Sequence, residues 1–178
     1  MVEAYVHDND NKIDFREPHN SGVAVSLERL AKLGIVAKYL EKIDDVELLA
    51  KERNYKNRDT VKLSKKTFNN DETLLLNQLN IFYQEHLHED EEIRYCIEGS
   101  GYFDIKDTFT NEWIRCKVSP GDLLIVPAGI YHRFTLTTDN FIKALRLFKD
   151  EPKWQAHNKS GDTDQMSVRK QYLESIGN

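Results

Sequence analysis

The 178-residue chain holds only two cysteines, Cys96 and Cys116. Two thiols cannot build a disulfide framework or a cysteine-rich zinc site, so both are expected to be reduced. Positive charge is also in short supply: 25 Lys and Arg face 30 Asp and Glu, a net charge of −5. That argues against nucleic acid and acidic membrane surfaces as partners, because phosphate binding needs clustered cations. No apolar run approaches the ~18 residues of a membrane span. The first residues, MVEAYVHDNDNK, lack the basic-then-apolar layout of a secretion signal, are too acidic for a transit peptide and have no Gly at position 2 for myristoylation. No segment repeats at 20–50 residues and none is of low complexity. The expectation is one domain spanning 1–178, in the cytoplasm.

The first ~75 residues read as short strands and helices. AYVHDN suggests a strand ending in a polar turn. NSGVAVSLERLAKLGI suggests a loop and then a helix, with Ser26 as N-cap and Gly34 as C-cap. DDVELLAKERNY reads as a second helix, with Asp44 and Asp45 at its positive end. NNDETLLLNQLNIFYQEH reads as a third, or as a helix running into a strand. The pattern changes after ~85. IRYCIEGSGYFDI (93–105) is strand, turn, strand, and 113–118, 122–127, 130–136 and 141–148 are further short strands between turn signals. Such spacing suggests a β-sandwich or barrel with its core at about 85–150. The tail from Pro152 holds a polar loop and a terminal helix, SVRKQYLESI.

His7, His19 and His157 stand apart and read as surface or hydrogen-bonded structural residues. His86 and His88 differ, because residues two apart on a strand project to one face. Four acids follow them: Glu89, Asp90, Glu91 and Glu92. A fully extended 86–92 would separate His86 from Glu92 by roughly 20 Å. The acids must therefore turn if one of them is to share an ion with the histidines, and the others would face solvent at that turn. His132 shares strand parity with Ile130, Phe134 and Leu136, an apolar and inward face. Burial there demands a partner, either a hydrogen bond or a metal.

On 141–148 both faces are largely apolar, so that strand is covered on both sides. Arg146 there is either a salt-bridged core residue or a cation facing an anionic substrate. Arg94 carries the same two readings; it shares parity with Glu92 and Cys96, while Ile93, Tyr95 and Ile97 form the apolar face.

The run His86-x-His88-x3-Glu92-x6-Gly99, followed by Gly121-x5-Pro127-x-Gly129-x2-His132, resembles the two cupin motifs in order and spacing. Asn80 stands where the looser pattern has Gly, and Leu136 where it has Asn; neither position is a ligand. Within the cupins, HLHEDEEIRYCIEGSGYFDI, GDLLIVPAGIYHRFTL and KALRLFKDEPKW, with PHNSG and YKNRD (55–59), resemble the acireductone dioxygenase family over nearly the whole chain.

The resemblance implies a mainly β fold with peripheral helices (α+β), a cupin-type jelly-roll β-barrel holding one divalent metal. It assigns His86, His88, Glu92 and His132 as ligands, selecting Glu92 among the four acids. It places Arg94 and Arg146 near the substrate and Phe134 and Trp154 in the pocket wall. Three imidazoles and a carboxylate suit Fe(II), with Ni(II), Co(II) or Mn(II) as alternatives, better than Mg(II) or Ca(II). Four protein ligands on an octahedral ion leave two adjacent positions for an enediolate. The implied reaction is oxygenation of 1,2-dihydroxy-5-(methylthio)pent-1-en-3-one in methionine salvage. Iron yields formate and 4-methylthio-2-oxobutanoate; nickel yields formate, carbon monoxide and 3-methylthiopropanoate. The implied partners are this small molecule and O2, with the protein a monomer in the cytoplasm and also the nucleus. Glu98 and Tyr102 are weaker candidates to assist. The rivals are another cupin metal enzyme (an isomerase or thiol dioxygenase) and a non-enzymatic metal-binding cupin module.

Overall fold

The computed structural model describes residues 1–151 and 153–178; Pro152, where the tail was expected to begin, lies outside the described residues. In chain order the elements are β1 (Glu3–His7), β2 (Asn20–Ala24), α1 (Leu27–Lys32), β3 (Val36–Tyr39), α2 (Ile43–Glu52) and β4 (Asn57–Ser64). A 3-10 turn (Lys66–Phe68) leads to α3 (Glu72–Phe82), β5 (His86–Leu87), β6 (Glu92–Gly99), β7 (Gly101–Lys106), β8 (Trp113–Val118) and β9 (Asp122–Val126). Then come β10 (His132–Leu136), β11 (Phe141–Phe148), β12 (His157–Asn158), α4 (Gly161–Asp164) and α5 (Ser167–Ile176).

Two antiparallel sheets result, β12-β5-β10-β7-β8-β1-β2 and β3-β9-β6-β11-β4, the arrangement of a jelly roll. Strands β1 to β4 belong to these sheets, so the β structure reaches well outside 85–150. Sequence pattern missed β2, β3 and β4 because all three lie at or near sheet edges. The residues of β2 are all exposed, and β4 (NRDTVKLS) carries only two apolar residues, Val61 and Leu63, both half-buried, so the apolar signal in each is absent or faint.

The helices follow their capping chemistry. The Ser26 hydroxyl accepts the Arg29 N–H at the start of α1, and the Asp71 carboxylate accepts the N–H groups of Thr73 and Leu74 at the start of α3. Leu75 and Leu79 bury the inner face of α3. Helix α2 sets Val46, Leu49 and Ala50 against Ile93, Tyr95, Leu123, Ile125, Leu145 and Leu147. The five-stranded sheet is thereby covered on its outer face, as the two-sided apolar pattern of β11 requires. The inner faces enclose the main core, with Cys96, Phe103, Ile105, Ile114, Cys116, Leu124 and Ala144 among its members. Both cysteines are buried and free.

Behind β10 lies a buried charge network. Asp104 pairs in register with Arg133 of β10 and Arg115 of β8. Its carboxylate accepts from Arg115 Nε (2.7 Å) and Nη2 (3.0 Å) and from Arg133 Nε (2.8 Å). Arg133 lies 4.1 Å from the ring centroids of both Tyr83 and Trp113. Arg115 also donates to the carbonyls of Phe15 (3.0 Å) and Glu17 (2.6 Å), tying down the 8–19 loop. Two cations share one buried carboxylate here, and the carbonyls and aromatic faces supply the remaining compensation. The network braces the strand whose next residue is His132.

His7 packs beside this network. Burial, and then the charges of Arg115 and Arg133 against the opposing pull of Asp104, lower its pKa from 6.5 to about 4. The unfolded imidazole protonates near 6.5, so between pH 6.5 and 4 the unfolded chain binds the extra proton. Stability from neutral His7 is complete above 6.5 and is lost as pH falls towards about 4. A His7→Gln variant is therefore expected to lose about 2 kcal/mol less stability than the parent between pH 7 and 4.5, by urea unfolding at each pH. Identical pH dependence in the two proteins would contradict the assignment.

Candidate metal centre and substrate cavity

The expected turn between the histidines and Glu92 is present. Glu89 and Asp90 are exposed, whereas Glu91 is half-buried. It accepts a 2.5 Å hydrogen bond from the Tyr55 hydroxyl, which in turn accepts from Arg53 Nε (3.0 Å). That corrects the expectation of a fully solvated run: Glu91 anchors the turn to the end of α2. Strand β5 ends at Leu87, so His88 lies just past it, its carbonyl accepting the Gly129 N–H (3.0 Å).

The two sheets contribute different chemistry to one end of the space between them. From the seven-stranded sheet come His86 and His132, which pair directly across β5 and β10, with His88 beside them. One ring nitrogen from each of the three lies within 4.8 Å of those of the other two. From the five-stranded sheet comes Glu92, whose Oε2 is 2.8 Å from His132 Nε2 and 3.5 Å from His88 Nε2.

The ring orientations are fixed from behind. His86 Nδ1 lies 2.6 Å from the Gln84 carbonyl, His88 Nδ1 3.0 Å from that of Gln155, and His132 Nδ1 3.0 Å from that of Ile130. A carbonyl only accepts, so each Nδ1 carries the hydrogen; Nε2 is then the lone-pair atom of neutral His86 and His88, while the Nε2 of His132 stands in hydrogen-bond contact with Glu92 Oε2. Burial lowers the pKa of His86 to about 4, helped by His132, and lowers that of His88. Burial opposes ionisation of Glu92, yet Arg94 and then the contact with His132 hold its carboxyl well below the usual range. Imidazole nitrogens beside a carboxylate are the donor set a divalent transition metal takes, and the carbonyl contacts are the outer support such ligands need.

A cavity of about 320 Å³ opens from this cluster. Its polar end holds Glu92, Arg94 and Arg146. Its apolar end is walled by Phe82, Cys96, Phe103, Phe134, Ile142 and Ala144. Phe134 and Trp154 both line it, Trp154 as a 43% exposed rim residue. Arg94 Nη2 sits 3.1 Å from Glu92 Oε1, and its Nη1 donates to the Ile93 carbonyl (3.0 Å). Arg146 makes a two-pronged contact with Asp59, as its salt-bridged reading expects, and its side chain also lines the cavity. Glu98 and Tyr102 lie elsewhere: Glu98 is exposed and pairs with Lys143 (3.7 Å), and Tyr102 is buried under the Arg115 guanidinium.

The other histidines are less solitary than their spacing suggested. His7 and His19 stack with centroids 4.6 Å apart. With Asp8 they form a second cluster, but His7 Nδ1 accepts the Asn9 N–H (2.9 Å), and the His19 nitrogens face the Asp8 carboxylate (2.7 Å) and the Asp14 carbonyl (2.8 Å). Those lone pairs and hydrogens are already engaged within the protein. His157 Nε2 lies 3.5 Å from Glu89.

Comparison with known proteins fits this geometry. The model of the ARD/ARD′ family matches residues 3–156. The chain belongs to that family. Among its relatives, acireductone dioxygenase of Saccharomyces cerevisiae is 58% identical over 177 residues, covering 99% of this chain and 98% of that protein. The Candida albicans acireductone dioxygenase is 52% identical over 179 residues, covering 99% of each. A solved structure, acireductone dioxygenase from Bacillus anthracis with a cadmium ion in its active centre, shares the fold with a TM-score of 0.66. It is 22% identical and covers 88% of this chain and 98% of that one. The cupin-type fold and the dioxygenase class expected from the sequence are thus those of the family. Among the described residues no helix is long and apolar enough to cross a membrane.

Gly101 is a determinant of this cavity that the sequence pattern presents only as a turn. A Cβ there would lie 2.7 Å from the Phe134 ring, which packs against Phe103 at 4.9 Å. Gly101→Ala is expected to drive that ring into the cavity and to destabilise the ARD-family fold by about 1–3 kcal/mol in urea unfolding. Unchanged stability would mean that the ring is not confined by its neighbours.

Proposed function

We propose that the protein is a metal-dependent acireductone dioxygenase, with His86, His88, Glu92 and His132 holding one Fe(II), and Ni(II) or Co(II) as alternative metals. The observation that carries this reading is the convergence of one ring nitrogen from each of His86, His88 and His132 within 4.8 Å of one another, with Glu92 Oε2 against two of the three rings and each Nδ1 held by a backbone carbonyl. A binding module needs ligands; it does not need a cavity beside them with cations at one end and apolar walls at the other. The same cavity favours acireductone over a small polar substrate for another cupin enzyme.

When bound, the metal supplies a Lewis acid and template on which an electron-rich enediolate meets O2. The remaining work belongs to the chain. Arg94 and Arg146 offer positive charge to the anionic head of the substrate in a site sheltered from water, where such contacts are strongest. Phe82, Phe103, Phe134 and Ile142 receive its methylthioethyl arm and exclude solvent. Trp154 covers the rim against Arg146. The hydrogens on the three Nδ1 atoms stay with their carbonyls, so the imidazoles neither tumble nor act as acids. The protein works as one domain, 1–178, as a cytoplasmic and nuclear monomer whose partners are its substrate and O2, with neither nucleic acid nor membrane.

Two outcomes test the reading. Iron-loaded protein is expected to consume O2 with acireductone and yield formate and 4-methylthio-2-oxobutanoate, while nickel-loaded protein yields carbon monoxide, formate and 3-methylthiopropanoate. Failure of both preparations to take up O2 would reject the function. Glu92→Ala is expected to lower the metal-to-protein ratio well below that of the parent and to reduce turnover by at least about 100-fold, the scale on which loss of a metal-supporting group acts. Full metal occupancy with normal products would show that another acid serves.

A further inference from the structure

Asp59, Arg146 and Arg94 form a row across three strands. Arg146 pairs directly with Asp59 of β4 on one side and with Arg94 of β6 on the other. Like charges directly opposite in a sheet repel. The repulsion is contained at both ends. Arg94 is drawn to Glu92 Oε1, and Arg146 is gripped by Asp59, with Nε to Oδ1 at 2.7 Å and Nη2 to Oδ2 at 2.6 Å. The guanidinium carbon of Arg146 sits 3.8 Å from the Trp154 ring centroid. One edge of the fork and one flat face are therefore occupied. Nη1 has no hydrogen-bond partner among the described residues, and the side chain lines the cavity.

We propose that Asp59 is a positioning residue for the substrate: it holds Arg146 in the cavity wall beside Arg94 so that two adjacent cations meet the anionic head. This rests on the dioxygenase reading above. A two-pronged carboxylate contact fixes both the direction and the plane of a guanidinium, which a single counter-charge does not. The distinction is measurable. Were Asp59 only a counter-charge, its neutralisation would leave a stronger cation and tighter binding of the anion. As a positioning residue, its loss releases Arg146 and weakens binding.

The experiment is steady-state O2 uptake with acireductone by iron-loaded parent, Asp59→Asn and Asp59→Glu, with metal content and Tm measured on each. Binding of 4-methylthio-2-oxobutanoate is followed in parallel by calorimetry. Asp59→Asn is expected to raise KM about tenfold, to leave kcat within about threefold and to weaken product binding by a similar factor, the pattern of lost uniform binding. Asp59→Glu, which keeps a carboxylate, is expected to recover most of that loss. Arg146→Lys keeps the charge but cannot make the two-pronged contact, and is expected to show the KM rise of Asp59→Asn even should that variant not fold. An unchanged or lower KM in folded, metal-replete Asp59→Asn, or a parent-like KM in Arg146→Lys, would overturn the proposal. Absence of O2 uptake by the parent would instead overturn the dioxygenase reading on which it rests.

Discussion

Three hydrogen bonds from histidine Nδ1 atoms to backbone carbonyls are the constraint on which the site depends. Each uses a carbonyl from outside the main ladders: Gln84 before β5, Gln155 before β12 and Ile130 before β10. Each leaves the other ring nitrogen free of backbone contact, and the strand pairing of His86 with His132 helps to bring those nitrogens to one place. Without these bonds an imidazole could turn its protonated edge inward. With them, the orientation of each ring is settled by the backbone, which is how rigid elements give a site its precision.

The two sheets divide the labour. The seven-stranded sheet carries the imidazoles and is stiffened behind by the Arg115–Asp104–Arg133 network. The five-stranded sheet carries the charges: Glu92 and Arg94 on β6, Arg146 on β11 and Asp59 on β4. Because α2 covers the outer face of that sheet, the alternation along β6 sends Ile93 and Tyr95 to one core and Glu92, Arg94 and Cys96 to the cavity. A one-residue slip of β6 would exchange these sets, so the apolar contacts of α2 fix the register of the cavity face. Stability and function are coupled at that strand.

Much of this is legible in the amino-acid sequence. The strands after residue 85, the terminal helix and the Ser26 cap follow from alternation and capping chemistry. So do the shared face of Glu92, Arg94 and Cys96 and the need for a turn after His88. The choice of Glu92 among four acids came from family resemblance. What stayed hidden was whatever depends on long-range pairing. On the edge strand β4 only Val61 and Leu63 mark the apolar face, too short a run to declare the strand, and the position of Asp59 opposite Arg146 is a long-range pairing. Glu91 looked like one more solvated acid because its partner, Tyr55, lies 36 residues away. The stacking of His7 on His19 joins β1 to the chain just before β2, a pairing with no local signature. Gly101 likewise reads as part of a turn, and only the approach of Phe134 gives it a packing role.

The central claim is that three imidazoles and one carboxylate of this chain hold a single metal and leave adjacent positions open to substrate. X-ray absorption spectroscopy on the iron-loaded protein, with and without substrate, tests it most directly. The account predicts multiple-scattering features of three imidazoles, light-atom ligands only, and loss of water ligands without loss of imidazole when substrate is added. Two or fewer imidazoles, a sulfur ligand from Cys96, or a ligand shell unchanged by substrate would contradict it.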